Sequence, residues 1–199
     1  MAQLSRDPDR RAHILAAALH CFAEKGFAAT GIGEIRRASG ASTGSIYHFF
    51  PSKEAIAVAL FVEGVTGWTE ASLAVPENAG GDEAIRAIIS ATIDWGLANA
   101  SLLRFMDETR VLVARVSGLA ETTEVLLQAR LRGEALLNRL IAEGGVAPVS
   151  WEVAQSVILG PVQNWLQLHR YGQTSLPPDE AKRVLSNSAW KALRSMDVR

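Results

Sequence analysis

The residues best suited to chemistry lie in one short segment, ASTGSIYHFFPSK, at residues 41–53. It begins with small hydroxyl residues and a glycine, continues with aromatic residues and ends in a lysine. A helix that enters the major groove of DNA needs small residues in its first turn, because its backbone must approach the base edges. Donors one turn later reach sugar and phosphate. The predicted base contacts are Thr43, Gly44 and Ser45, and the predicted contacts with the DNA backbone are Tyr47 and His48.

Two further features of this segment bear on the same chemistry. Ile46, with Phe49 or Phe50, is expected to anchor the helix on its neighbours. Lys53 brings a positive charge to the start of the next helix, beside free backbone N–H groups that suit a phosphate. The alternative that this pattern leaves open is an aromatic cluster that closes a small core next to a turn.

The elements that would position these residues are helices. Apolar residues recur every three or four positions along nearly the whole chain, and the period-two alternation of strands is missing. The pattern predicts an all-α fold of about nine helices, at residues 8–25, 32–39, 43–49, 52–72, 82–99, 102–113, 122–143, 150–171 and 178–196. The second and third helices are short and are joined by a turn that contains Gly40, which is typical of a helix-turn-helix. The first helix is expected to pack across both.

Residues at the helix ends predict local geometry. Gly26 suits the left-handed position past the end of the first helix, and Phe27 is then placed to fold back onto Phe22. Ser42 is the expected N-cap of the third helix, and Asp82 is the expected N-cap of the fifth.

Composition excludes several other classes of protein. With 199 residues and a formal net charge of −1, the chain is long enough to bury a core in one or two domains. No apolar run has the roughly 20 residues of a membrane span. Because the first residues also lack the pattern of a signal peptide, we expect a cytoplasmic protein. No metal-ligand spacing, P-loop, dinucleotide fingerprint or nucleophile elbow occurs, so we expect neither an enzyme nor a cofactor or metal.

Residues 10–60 resemble the N-terminal domain of the TetR family of bacterial transcriptional regulators. The likeness is carried by ILAAALHCFAEKGFAATGIGEIRRASGASTGSIYHFFPSKEAI at residues 14–56. It implies a helix-turn-helix DNA-binding domain at residues 1–53 and a helical effector-binding and dimerisation domain at residues 54–199. It also implies a homodimer that inserts its third helices into the major groove of a double-stranded operator. The implied DNA contacts are Thr30 and Gly31 at the second helix, Thr43, Gly44 and Ser45 on bases, and Tyr47, His48 and Lys53 on phosphates.

The sequence departs from the family pattern at several positions of the helix-turn-helix. Gly31 stands where relatives commonly carry a Ser or Thr N-cap, and Gly33 where they often carry a polar residue, so the second helix is expected to begin weakly. Thr43 occupies a position that many relatives fill with Lys or Arg. Bidentate reading of guanine from the third helix is therefore not available. Base discrimination is then expected from hydroxyls, apolar contact with thymine methyls and DNA shape.

The distribution of charge agrees with this division. Residues 1–60 hold seven Lys or Arg against five Asp or Glu, and residues 61–199 hold thirteen against sixteen. DNA is therefore expected to dock at the N-terminal end. Arg36 and Arg37 on the second helix are predicted to help in DNA binding, although a solvated helix face is an equal alternative.

The C-terminal helices contain two further sets of candidate residues. Aromatic residues on several helices predict a cavity for a small effector, with an ordinary core as the alternative. The effector candidates are Trp68, Trp95, Phe105, Met106, Asn164 and Trp165. Small residues on the last two helices permit close approach and predict a four-helix dimer interface, with packing inside one chain as the alternative. The dimer candidates are Val153, Val157, Gly160, Asn164, Leu168, Leu185, Ser188, Ala192 and Met196.

These observations predict a homodimeric, DNA-binding transcriptional regulator that is a repressor released by a small effector. The alternative is the same fold acting by ligand sequestration or by protein contact, with weakened DNA binding.

Overall fold

The computed structural model describes residues 6–115 and 119–195. Within these ranges the chain forms nine α-helices and no strand, which confirms the all-α prediction. The helices are α1 (Arg6–Lys25), α2 (Ile32–Ser39), α3 (Thr43–Phe49), α4 (Lys53–Ser72), α5 (Gly81–Ala98), α6 (Ala100–Arg115), α7 (Leu119–Ala142), α8 (Trp151–Arg170) and α9 (Pro178–Arg194). No helix in the described ranges combines the length and the hydropathy of a transmembrane segment.

The helices form two compact units. Unit 1 comprises Met1–Val65 and Ser101–Val125, and unit 2 comprises Thr66–Ala100 and Leu126–Arg199. Helices α4 and α7 therefore each contribute residues to both units. The units are defined by packing, and the functional division after residue 53 stays a prediction.

Unit 1 has one hydrophobic core that joins α1 to α4 and includes a residue of α6. Its buried members are Ile14, Leu15, Ala18, Phe22, Ile35, Ala41, Ile46, Phe50, Ile56, Ala57, Leu60 and Phe105. The Phe105 ring stacks on the Phe22 ring, with centroids 5.3 Å apart and an interplanar angle of 12°. Arg11 also ties α1 to α4, because its Nη1 donates to Glu63 Oε1 at 3.0 Å. A helix distant in sequence thus completes the core beneath the helix-turn-helix.

Local geometry around the first helix follows the sequence. Gly26 has φ 81°, and the Phe22 and Phe27 ring centroids are 5.3 Å apart, which confirms the predicted turn. The predicted cap at Asp82 is wrong, because α5 begins at Gly81 and its N-cap is Gly80, two residues before Asp82. Asp82 lies in the first turn instead, where its Oδ1 is 2.9 Å from Nε of Arg86.

Unit 2 is built on the packing of α5 against α8 and α9. The buried side of α5 includes Ile85, Ile89 and Ile93. Helix α5 can begin as early as Gly81 because that residue has no side chain. A Cβ there would lie 2.4 Å from the Gly145 carbonyl oxygen and 2.7 Å from the Trp190 ring.

Candidate nucleic-acid interface

The recognition helix predicted from the sequence is held by a cap and an apolar anchor. Gly40 ends α2 with φ 65°, which turns the chain toward α3. Ser42 is the N-cap of α3, since its Oγ accepts a hydrogen bond from the Ser45 amide at 3.1 Å, as predicted. Ile46 is fully buried and Phe50 is 3% exposed, so both anchor this short helix in the core. The sequence thus placed α3 and its anchors correctly.

The opposite side of α3 is open to solvent. Thr43, Gly44 and His48 are exposed, Ser45 is half-buried, and the Tyr47 side chain is 50% exposed. A Cβ built on Gly44 would meet no atom within 4 Å, so no described residue of unit 1 covers the backbone at that position. This face presents hydroxyls, bare backbone and one imidazole, which is a set that can contact base edges and phosphates.

Helix α2 adds two cations to the exposed surface of the helix-turn-helix. Arg36 and Arg37 lie in its last turn, and both are exposed. Guanidinium groups are strong partners for phosphate oxygens. Their contact with DNA stays a prediction.

The start of α2 is held by charged side chains in place of a hydroxyl cap. The N-cap is Gly31, in the extended conformation, and its N–H donates to Glu34 Oε2 at 3.0 Å. Lys25 at the end of α1 pairs with the other carboxylate oxygen of Glu34. This hydrogen bond from Lys25, and then the one from Gly31, lower the pKa of Glu34 below its usual value of 4.5. The pair likewise raises the pKa of Lys25.

Sequence reasoning missed the roles of Glu34 and Lys25. One signal was present, because Glu34 stands three residues after the N-cap, the spacing at which a carboxylate reaches back to the N-cap amide. The absence of Ser or Thr at Gly31 hid this pattern.

Thr30 is buried in the turn between α1 and α2. Its side chain is 1% exposed, and its hydroxyl lies 2.9 Å from the Gly26 carbonyl oxygen and 3.2 Å from that of Cys21. A hydroxyl has one hydrogen, so Thr30 donates to one of these carbonyls at a time and ties the turn to the last turns of α1. Of the two DNA contacts predicted here, Thr30 is buried and Gly31 is exposed, and contact of either residue with DNA stays a prediction.

Lys53 makes several contacts within unit 1. Its Nζ lies 2.8 Å from the Phe27 carbonyl oxygen, 2.9 Å from that of Thr30 and 3.4 Å from that of Ala28. The ammonium also sits 4.4 Å from the centroid of the Phe27 ring. Three acceptors match the three donors of a lysine ammonium. Its predicted contact with phosphate stays a prediction beside this internal role.

The predicted effector residues are distributed over both units. In unit 1, Phe105 belongs to the core, and Met106 lies against α4, where a Cβ on Gly64 would come 2.2 Å from its sulfur. In unit 2, Trp68 and Trp95 are half-buried and Asn164 is exposed.

Among the described residues of unit 2, two buried side chains carry a polar atom without a hydrogen-bond partner. Trp165 is 4% exposed, and its Nε1 has no hydrogen-bond partner among the described residues. Thr69 on α4 is also 4% exposed, and its hydroxyl is unsatisfied in the same way. Such groups are expected to have a hydrogen-bond partner, because a buried polar group without one destabilises the folded state.

The predicted dimer residues form open stripes on α8 and α9. Gly160, Asn164 and Ser188 are exposed. Their apolar neighbours are only half-buried, namely Val153, Val157, Leu168, Leu185 and Ala192. Met196 lies outside the described residues. The stripes therefore do not pack fully inside unit 2, which leaves them open to a partner.

Comparison with known proteins agrees with the sequence resemblance. Residues 14–60 match the family model described as bacterial regulatory proteins, tetR family. The uncharacterized HTH-type transcriptional regulator YxaF from Bacillus subtilis is 47% identical over 51 residues, which is 25% of this chain and 27% of that protein. The matched part thus spans about a quarter of that relative.

Solved structures share the fold over nearly the whole chain. A TetR family transcription regulator from Marinobacter aquaeolei superposes with a TM-score of 0.79 at 23% identity, covering 96% of this chain and 98% of the other. The transcriptional regulator FadR from Bacillus subtilis, in complex with stearoyl-CoA, superposes with a TM-score of 0.70 at 23% identity, covering 92% and 97%.

Proposed function

We propose that this chain, which belongs to the TetR family of bacterial regulatory proteins, binds operator DNA as a homodimer and is released by a small effector. The proposed place of action is the cytoplasm. The observation that carries DNA binding is the exposed polar face of α3, with Ile46 buried on the opposite side. A short helix anchored in this way can enter a major groove without disturbing the core.

The proposed mode of reading relies on small groups. Helix α3, TGSIYHF, contains no Lys or Arg. Thr43 and Ser45 would contact base edges through hydroxyls, and the threonine methyl suits the methyl group of thymine. Tyr47, His48 and the two arginines of α2 would contact the DNA backbone. DNA shape would supply much of the remaining specificity.

Dimerisation through α8 and α9 would place two copies of unit 1 on one operator. The open stripes on these helices support this proposal, because half-buried apolar residues with exposed small residues allow close contact with a second copy. A two-fold dimer reads a two-fold symmetric operator, so the arrangement predicts two related half-sites.

The proposed effector is an apolar or aromatic molecule bound by unit 2. Two buried groups support it, since Trp165 Nε1 and the Thr69 hydroxyl lack partners among the described residues. Helix α4 contributes to both units, so an effector that displaced α4 would change the spacing of the two recognition helices. Because FadR of Bacillus subtilis has been seen with stearoyl-CoA, acyl-CoAs are suitable first compounds to screen.

A screen by tryptophan fluorescence tests the effector. A true effector is expected to change the emission of the wild-type protein and to weaken its binding to DNA. Trp165→Phe should reduce the fluorescence response. The proposal of an effector fails if no compound of a broad apolar and aromatic library changes either fluorescence or DNA affinity.

A second candidate function is ligand sequestration or protein contact on the same fold. It is favoured by one observation, namely that Gly31 supplies no side-chain cap and no hydroxyl for a phosphate at the start of α2. Salt separates the two functions. Binding to DNA weakens steeply with ionic strength through counterion release, whereas a partner held by apolar contact is much less sensitive.

The decisive experiment is selection of bound sequences from a random duplex library at two salt concentrations. Enrichment of a two-fold symmetric motif is expected. Thr43→Ala and Ser45→Ala should then change the preferred sequence, whereas Tyr47→Phe should weaken all sequences alike. Tyr171→Phe is the matched control, because Tyr171 is also exposed (59%) but lies after α8. Absence of enrichment at both salt concentrations would refute operator binding.

A further inference from the structure

The peptide group that joins Thr30 to Gly31 is held by opposite charges on its two sides. Its carbonyl oxygen accepts from Lys53 Nζ at 2.9 Å, and its N–H donates to Glu34 Oε2 at 3.0 Å. Because a peptide group is planar and rigid, the two contacts fix its orientation together. Hydrogen bonds to charged groups are also the stronger kind. This peptide is the point where the chain enters α2.

The two charged side chains that bind this peptide, those of Lys53 and Glu34, also make contacts with other residues. Lys53 Nζ also donates to the Phe27 carbonyl and lies over the Phe27 ring, which packs against Phe22 of α1. Glu34 pairs with Lys25 at the end of α1. The first residue of α4, the turn after α1 and the first turn of α2 are therefore connected by one polar network.

We propose that Lys53 is a positioning residue, which holds the 30–31 peptide so that the N-terminus of α2 stays fixed to the first turn of α4. Its ammonium is occupied by carbonyl oxygens and acts on DNA through the position of α2. The inference rests on the proposed function, because a fixed α2 matters for DNA affinity only if this surface docks on DNA. It assigns Lys53 a different role from the phosphate contact implied by the family resemblance.

The two roles predict different salt dependence. A lysine that neutralises a phosphate contributes about 0.9 to the slope of log affinity against log salt concentration. A positioning residue contributes to affinity without contributing to that slope. Lys53→Met removes the ammonium and keeps an apolar side chain. Lys53→Gln removes the charge but keeps an N–H donor group, so it separates hydrogen bonding from charge.

We expect Lys53→Met to weaken binding to the selected DNA by about tenfold, as for the loss of one hydrogen bond from a charged donor. The salt slope should stay the same, and Lys53→Gln should restore part of the affinity. Arg132→Met is the control for net charge, because Arg132 is exposed on α7. A slope reduced by about 0.9 in both Lys53 variants, with no gain in affinity for the glutamine variant, would overturn the positioning role.

Amide hydrogen exchange of the DNA-free protein tests the same inference without DNA. In Lys53→Met, the amides of residues 27–34 should exchange faster relative to those in the middle of α1. Unchanged relative exchange would overturn the inference. If the wild-type protein bound no DNA, the proposed function would fail, and exchange alone would decide whether Lys53 holds this segment.

Discussion

Replacement of Phe105 tests whether α6 is part of unit 1, the proposed DNA-binding unit. Phe105 is 3% exposed and its ring stacks on Phe22, so Phe105→Ala removes a ring from the interior of unit 1. Such a change costs about 3–5 kcal/mol of stability, from lost burial and the cavity left behind. This is a large part of the roughly 5–15 kcal/mol that stabilises an ordinary domain. We therefore expect Phe105→Ala to bind DNA weakly as well, because partial unfolding of unit 1 disorders α3.

The energetic contribution of the ring stack itself can be measured separately. Phe105→Leu keeps most of the apolar volume and should cost about 1–2 kcal/mol, because the pairing of two rings contributes about 0.5–1.5 kcal/mol beyond burial. A double-mutant cycle with Phe22→Leu should show a coupling energy of that size. Tyr171→Ala is the control, and its effect should stay within about 0.5 kcal/mol because Tyr171 is exposed.

The assay is urea unfolding followed by circular dichroism at one fixed protein concentration, since the stability of the proposed dimer would depend on concentration. The alternative role of Phe105, as a wall of an effector cavity, gives a different result. In that case Phe105→Ala would leave stability and DNA affinity nearly unchanged and would alter only the response to the effector. A loss of stability below about 1 kcal/mol would refute the core assignment.

Two further predictions concern the first turn of α2. Gly33→Ala should stabilise the protein by about 0.5–1 kcal/mol in urea unfolding, because Gly33 is helical and a Cβ there would meet no atom within 4 Å. Gly40→Ala should instead destabilise the protein, because Gly40 has φ 65°. The pKa of Glu34 is lowered by Lys25, so its carboxylate stabilises the fold above pH 4.5 and this contribution is lost as the pH falls through the lower folded pKa. Below pH 4.5 the urea midpoint of the wild type should thus fall further than that of Glu34→Gln, and parallel curves would contradict the prediction.

Local features of the fold could be predicted because they depend on residues close in sequence. The bounds of α2 and α3, the turn at Gly26 and the cap at Ser42 all follow from short-range rules for helix ends. The start of α5 was missed because it depends on tertiary packing. Asp82 is a good cap by type, but the helix begins at Gly81, which packs closely against Gly145 and Trp190, and residue types in the local sequence do not reveal that contact.

The exposed residues of the candidate site could be predicted from the sequence, whereas the contacts that hold its helices in place were harder to predict. The face of α3 follows from the periodicity of a single helix, with Ile46 on the buried side. The contacts of Phe105 and Lys53 link residues far apart in sequence, since Phe105 packs on Phe22 and Lys53 reaches the Phe27 carbonyl. Residue types and spacing alone carry no information on such pairs without a known fold.

The glycine at the start of α2 illustrates how a weak local signal is offset by distant residues. From sequence, Gly31 leaves α2 without a side-chain cap, which favoured the alternative of weakened DNA binding. In the structure the Gly31 amide donates to Glu34, and the carbonyl of the same peptide accepts from Lys53. Two charged side chains thus restrain the peptide that a hydroxyl cap would otherwise help to fix. The absence of the hydroxyl removes one candidate phosphate contact, but it does not leave the start of α2 unsupported. The proposed binding of DNA through α3 does not require that contact.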